Sequence, residues 1–336
     1  MLLTAQTEVI TDIENSRAYE AKRGIKRPEF VSAVVYVHND CDKVQKFIEV
    51  VMGYFQENFK KCEVIFVDDY SSDESLRVIK EYYKNHPVDY VVSIIRMGCY
   101  HGMEIAMNAG RDMAIGDYVY EFDNLYIDYA PDVIMAAYDK CMEGYDIVMV
   151  STEVPVRLTS KLFYKLFNCA TNLQAKIDQD SLRLISRRGI NRITSIDVNI
   201  PYRKAVYLNC GLSVAQISYK SVTGVRPPRI TSKCERFNLG IESFIYFTNA
   251  VERIAMAIAC LIAIFCVVSV LYSIISGIWG GDRGAGIPLL MIVVCVGFMG
   301  VFCLMAVVLK YLSVLVDLVF KRQKYRIADI DKISSK

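Results

Sequence analysis

Two uncharged apolar runs near the C-terminus constrain this chain most. Ile254–Ser276 reads IAMAIACLIAIFCVVSVLYSIIS, and Ile287–Leu309 reads IPLLMIVVCVGFMGVFCLMAVVL. Each exceeds the roughly 20 residues that cross a hydrocarbon core of about 30 Å. A buried helix of a soluble protein rarely stays apolar on every face, so both runs are expected to span a membrane. A Gly-rich turn containing Trp279 joins them, and positive charge lies outside the pair, at Arg253 before it and at Lys310, Lys321, Arg322, Lys324 and Arg326 after it. The positive-inside rule then predicts that both ends, and the soluble residues 1–250, face the cytoplasm.

Composition narrows the class further. Of the 336 residues, 39 are Lys or Arg and 37 are Asp or Glu, a net charge of +2 that argues against a nucleic-acid partner. The hydrophobic share is 53%, in keeping with lipid contact. Four of the 11 cysteines (Cys260, Cys266, Cys295, Cys303) sit in the apolar runs, and no CxxC pair or Cys/His cluster with zinc spacing occurs. A reducing compartment is expected. The N-terminal residues lack the basic and apolar regions of a cleaved signal peptide.

The soluble part alternates short apolar runs with amphipathic ones. Strands are predicted at Val31–Val37, Glu63–Asp69, Tyr90–Ile95, Tyr118–Asp123 and Asp146–Ser151, with helices over Lys43–Phe59, after Ser72, and over Met103–Ala114 and Pro131–Glu143. This order implies an α/β fold: an open, mainly parallel sheet covered on both faces. Ligands of such sheets bind beyond the carboxyl ends of the strands. Those ends are acidic here, with Asp68-Asp69-Tyr70-Ser71-Ser72-Asp73 after the second strand and Asp123-Asn124 after the fourth. Adjacent carboxylates need cations or hydrogen-bond donors. They suit a nucleotide or a Mg²⁺ or Mn²⁺ ion held against a diphosphate, or else a solvated turn that caps the next helix.

In that order, VSAVVYVHND, EVIFVDDYSSDES and AMNAGRDMAIGDYVYEFDN resemble the motifs of family-2 glycosyltransferases of the GT-A fold, over roughly residues 30–150. The segments RLTSKLFYKLFNCATN, SLRLISRR and RPPRITSKCERFNLGIESFIYF, followed by two spans, resemble the narrower polyprenyl-phosphate subgroup, which includes dolichol-phosphate mannose synthase-like enzymes. The resemblance implies a membrane-bound inverting enzyme that moves a sugar from a nucleotide diphosphate, UDP above others, to a polyprenyl phosphate. It places Asp69 at the base with Asp68 beside it, lines the same pocket with Val37 and Asn39, and makes Asp123 the ligand of Mg²⁺ or Mn²⁺. Arg183 falls near the phosphates, and Arg229, Ser232 and Lys233 at the donor or carrier phosphate. Fixed cations there would offset the repulsion between approaching anions.

Several positions depart from the pattern. Asp123-Asn124-Leu125 keeps only the first carboxylate of Asp-x-Asp, with Asp128 a few residues on; Tyr70 stands where glycine is usual; and Leu309-Lys310-Tyr311 replaces Gly-Glu-Tyr. Two alternatives therefore stay open: a GT-A enzyme with another glycan or lipid acceptor, and a partner subunit that keeps the fold without turnover.

The expected division is an N-terminal arm (1–28), a GT-A domain (29–235), a juxtamembrane helix (236–252), a membrane hairpin (253–310) and a basic tail (311–336). Within the domain, residues 155–172 form an amphipathic helix, with Arg157, Lys161 and Lys165 among leucines and phenylalanines, that suits a bilayer surface or packs on the sheet. His38 and His101 are expected to line the pocket or face solvent, since an ionised phosphate acceptor needs no base. Two spans alone bury little protein surface, which favours bundling of protomers into a homo-oligomer.

Overall fold

The computed structural model describes residues 7–9, 26–154, 158–170, 180–196, 202–224, 240–241, 250–278, 283–320 and 325–333. The chain divides into two compact units, Met1–Leu239 with Gln323–Lys336, and Gly240–Arg322. The first is built on nine strands: β1 (Thr7–Val9), β2 (Arg27–Val37), β3 (Phe59–Asp68), β4 (Val91–Met97), β5 (Tyr118–Phe122), β6 (Ile147–Thr152), β7 (Asp180–Ser186), β8 (Val214–Tyr219) and β9 (Ile327–Ile333). They form one sheet in the order β1-β8-β6-β7-β5-β2-β3-β4-β9. The strands β5, β2, β3 and β4 run parallel, as do β6, β8 and β1, whereas β7 and β9 are antiparallel to their neighbours.

The expected α/β sheet is thus present, and its five predicted strands fall in β2 to β6. The VSAVVYV run works because both sheet faces are covered: from Val31 to Val37 every residue is buried. The stretch predicted as one helix from Lys43 is α1 (Cys41–Phe47), a π segment (Ile48–Met52) and α2 (Gly53–Asn58), with β3 already begun at Phe59. Then follow α3 (Ser75–Asn85), α4 (Met103–Met113), α5 (Asp132–Met142), α6 (Leu158–Ala170), α7 (Arg187–Ser195) and α8 (Arg203–Asn209). In α6, Lys161 and Lys165 are exposed, while Phe167 is buried with its ring 6.3 Å from that of Tyr202. That ring seats the helix on the domain.

The expected basic tail differs from what is observed. The last apolar helix continues to Phe320, and Ile327–Ile333 returns to the sheet as β9. Most of the expected N-terminal arm and juxtamembrane helix lies outside the described residues.

The second unit holds α9 (Ala250–Ile278) and α10 (Arg283–Phe320). Both are long and apolar enough to cross a membrane, and only 6% of each apolar stretch (Ala255–Tyr272, Met291–Ser313) is buried. Leu261, Ile264, Phe298 and Phe302 are exposed, which suits lipid far better than water. The helices meet closely at Gly300, where a Cβ would lie 2.6 Å from Ile262 Cδ1.

Two glycines show what AMNAGRDMAIGDY encodes. Gly110 on α4 faces β2 and β3, and a Cβ there would lie 2.3 Å from Val34 Cγ1 and 2.6 Å from Val67 Cγ2. At Gly116 a Cβ would meet the Ser32 backbone nitrogen at 2.7 Å and the Phe30 oxygen at 2.9 Å. The chain is held there by Gly116 N donating to Ser32 Oγ (2.8 Å), Ile115 N to Glu63 Oε1 (2.8 Å) and Phe30 N to Asp117 Oδ2 (3.0 Å). Gly110→Ala is expected to cost about 1–3 kcal/mol by overpacking, and Gly116→Ala more, because backbone atoms must move; thermal unfolding in detergent measures both.

Candidate active site

The acidic turn after β3 is a fastener. Asp69 is fully buried, and its Oδ1 accepts from the His101 amide (2.8 Å) while its Oδ2 accepts from the Gly102 amide (2.8 Å) and the Tyr36 hydroxyl (3.0 Å). Its own amide donates to the Val37 carbonyl at 3.0 Å. Burial, and next the Asp69 charge, push the Tyr36 phenol far above its usual range. Asn39 Oδ1 accepts from Ser72 N (2.8 Å), and Ser71 Oγ from Asn39 N (3.1 Å). Asp73 accepts from the amides of Ser75 (3.0 Å) and Cys41 (3.0 Å), the first residues of α3 and α1, while Glu74 at the N-cap of α3 makes no side-chain cap bond. Asn39 and Tyr70 both take left-handed backbone conformations, at φ 54° and 60°.

Expected pocket residues therefore converge, in unequal positions. Val37 and Asn39 adjoin the Asp68-Asp69 pair, but the Asp69 carboxylate is spent on protein donors. Asp68 accepts a 3.3 Å bond from Ser71 N, and burial raises its pKa against the opposing bonds of Ser71 and the charge of Arg96. Around the pair stand Tyr70, 60% exposed, and Tyr100, 39% exposed, whose ring centroid is 4.8 Å from that of His38.

At the end of β5 lies a second, denser cluster. Asp123 Oδ1 accepts from Arg183 Nη1 (3.0 Å) and Arg203 Nη2 (2.8 Å), and Oδ2 from Arg183 Nη2 (2.5 Å). Glu121 lies two residues earlier, on the same strand face. It accepts from Arg203 Nη1 (2.7 Å), Arg183 Nη1 (3.3 Å) and the Tyr207 hydroxyl (2.7 Å), which in turn accepts from Arg111 Nη1 (3.0 Å). Arg203 also binds Glu104 Oε2 through Nε at 3.0 Å, and Asp180 pairs with both Arg183 and Lys204. Glu104, Glu121, Asp123 and Asp180 thus face Arg111, Arg183, Arg203 and Lys204, all eight buried. The formal charges cancel. Burial pushes the Asp123 carboxyl up, but Arg183 and then Arg203 outweigh it and hold the pKa at about 2.

Sequence reasoning brought Asp123 and Arg183 to one site and missed their partners. A glutamate inside the apolar strand YVYEF was the available signal, since such a buried charge requires cations. The residue two places before Asp123 supplies the second carboxylate, as Glu-x-Asp. Asp128 instead accepts from the Tyr219 hydroxyl at 2.6 Å. Arg229, Ser232 and Lys233 lie outside the described residues.

The donor set does not fit the expected Mg²⁺ or Mn²⁺ in this arrangement. Both Asp123 oxygens are taken by guanidinium groups, and among the described residues no group of three or more His, Cys, Asp or Glu could hold a metal ion. A divalent ion would add charge to a balanced cluster unless a guanidinium moved away.

With this geometry in view, residues 32–193 match the family model described as glycosyl transferase family 2. An uncharacterized glycosyltransferase of Synechocystis sp. is 27% identical over 183 residues, covering 53% of this chain and 56% of the relative. An uncharacterized glycosyltransferase of Bacillus subtilis is 27% identical over 197 residues, 56% of this chain and 59% of the relative. The chain thus spans little more than half the length of these two relatives. A prophage bactoprenol glucosyl transferase homolog of Escherichia coli is 24% identical over 268 residues, 78% of this chain and 86% of the relative. Among solved structures, mannosyl-3-phosphoglycerate synthase from Rubrobacter xylanophilus aligns with TM-score 0.48 and 18% identity, over 67% of this chain and 73% of its own. Glucosyl-3-phosphoglycerate synthase from Mycobacterium tuberculosis, in complex with Mn²⁺, UDP-glucose and phosphoglyceric acid, aligns with TM-score 0.49 and 14% identity, over 73% and 86%.

Asp123→Asn should destabilise the domain by about 3–5 kcal/mol, because two buried guanidinium groups lose their counter-charge. The stability that Asp123 contributes is complete above its ordinary pKa of 3.8 and is lost as pH falls through about 2. Thermal unfolding followed from neutral pH toward pH 2 should therefore show the wild-type advantage over Asp123→Asn shrinking only below about pH 4.

Proposed function

We propose that this chain, which carries a family 2 glycosyltransferase domain over residues 32–193, transfers a sugar from a nucleotide diphosphate, a UDP-sugar in the first instance, to a polyprenyl phosphate in the membrane. The observation that carries this reading is the presence in one chain of strand-end carboxylates and of two exposed apolar helices long enough to cross a membrane. The likeness to a bactoprenol glucosyl transferase homolog over 78% of the chain supports the acceptor class.

In this reading the Asp69-fastened loop shapes the nucleotide pocket. Asp68, with the weaker set of protein donors, accepts hydrogen bonds from the base or ribose, and the exposed rings of Tyr70 and Tyr100 offer stacking surfaces. An oxygen of the lipid phosphate attacks the anomeric carbon as its bond to the diphosphate breaks, inverting the centre and releasing the nucleoside diphosphate. The acceptor is already ionised, so no base is required. Arg229, Ser232 and Lys233 are proposed to attract the lipid phosphate. In this reading the domain lies on the cytoplasmic face, which the basic residues flanking the apolar helices support.

One observation favours the rival reading of a partner subunit without turnover: the Arg183 and Arg203 side chains are buried with their donors engaged by carboxylates. The deciding experiment gives detergent-solubilised protein undecaprenyl phosphate and a panel of labelled nucleotide sugars, with and without EDTA, and follows label into the organic phase. Lipid-linked product is expected, with Asp68→Asn lowering kcat/KM by about tenfold or more through a lost charged hydrogen bond. Transfer to a water-soluble acceptor alone would refute the polyprenyl reading. No transfer together with no UDP binding would favour the partner subunit. Survival of transfer in EDTA would show that Asp123 keeps its guanidinium partners during turnover; its loss would require them to yield to a metal.

A further inference from the structure

Strand β9 reaches the sheet only after both apolar helices, and it pairs antiparallel with β4, matching Ile95 to Ile330 and Arg96 to Asp329. The ladder becomes irregular at Arg96 and Met97, and the chain then leaves it for the turn Gly98–Gly102. Contact with the C-terminal segment continues into that turn. Gly98 N donates to the Arg326 carbonyl (2.8 Å), and Arg326 N donates to His101 Nε2 (3.1 Å). Tyr325 donates its hydroxyl to Asp112 Oδ2 at 3.2 Å, and Lys80 pairs with Asp331 at 2.6 Å.

The imidazole bonds define its tautomer. Nδ1 lies 2.6 Å from the Cys99 carbonyl, which can only accept, so Nδ1 carries the proton and Nε2 presents the lone pair that Arg326 N–H requires. The same residue's backbone amide, with that of Gly102, binds the Asp69 carboxylate. His101 therefore holds the turn from two sides: its amide faces the acidic fastener at the end of β3, and its ring faces the C-terminal segment.

We propose that the C-terminal segment Tyr325–Ile333 is the outer clamp of the nucleotide loop, with His101 and the Arg326 amide as positioning residues that keep Gly98–Gly102 on Asp69. The nucleotide part of this inference rests on the function proposed above; the clamp itself does not.

Hydrogen exchange of the full chain in detergent, paired with nucleotide-sugar kinetics, tests it. In His101→Ala the amides of residues 98–102 should exchange about fivefold to tenfold faster, as expected for one lost hydrogen bond, while those of β5 keep their protection. KM for the donor should rise by a similar factor with kcat little changed. His101→Gln, whose amide oxygen can accept from Arg326 N, should restore both values, and Arg326→Pro, which deletes the donor, should reproduce His101→Ala. Unchanged exchange at residues 98–102 in both His101→Ala and Arg326→Pro would overturn the clamp. Faster exchange in a protein that binds no nucleotide would uphold the clamp and overturn the proposed function alone.

Discussion

Charge burial at the end of β5 sets the terms for the rest of the domain. An unpaired carboxylate or guanidinium in such a place would cost several kcal/mol, and removing one partner of a buried pair leaves that cost exposed. The buried carboxylates of Glu121 and Asp123 meet their counter-charge because β7 delivers Arg183 and α8 delivers Arg203, while α4 brings Glu104 and Arg111. The sheet order reflects this requirement. The antiparallel strand β7 is wedged between β5 and β6, and its register sets Arg183 directly opposite Glu121. Four segments far apart in sequence are thereby committed to one arrangement. A registry role for a polar cluster is reasonable here, since apolar residues would tolerate more than one alignment.

The acidic turn after β3 works on a smaller scale by the same principle. Asp69 satisfies two backbone amides that no strand or helix serves, and Asp73 does so at the start of α3. Carboxylates that suggest ligand chemistry in sequence are here partly consumed in holding loops together. Beside the buried Asp68, the side chains left exposed at this turn include Tyr70 and Tyr100.

Much of this was legible beforehand. The continuous apolar runs of β2 to β6 and the two uncharged spans declare themselves by length and pattern. The motif glycines were visible as a motif, though only the 2.3 Å and 2.7 Å approaches at Gly110 and Gly116 show that close packing is what excludes a side chain. Less legible were β7 and β8, whose sequences SLRLIS and VAQISY are short and bounded by polar segments. Strand β9 was hidden because IADIDKI follows a run of basic residues and reads as a solvated tail; pairing with the β4 edge is a tertiary effect that local pattern does not carry. The partners of Asp123 were missed for a similar reason. Arg203 and Lys204 look like surface cations until the fold closes over them, and the Asp-x-Asp pattern points forward to Leu125 and Asp128, whereas strand alternation points back to Glu121.

The return of the chain to β9 also limits how two helices long enough to cross a membrane could enter one. Strands β8 and β9 belong to one sheet, yet the whole of α9 and α10 lies between them in sequence. A sheet cannot be completed across a lipid barrier, so its closure admits only an even number of crossings in the intervening segment. Parity is therefore written into the soluble domain, independently of the flanking charges. A molecule in which one helix failed to insert would strand Ile327–Ile333 on the side opposite the rest of the sheet and leave the β4 edge bare.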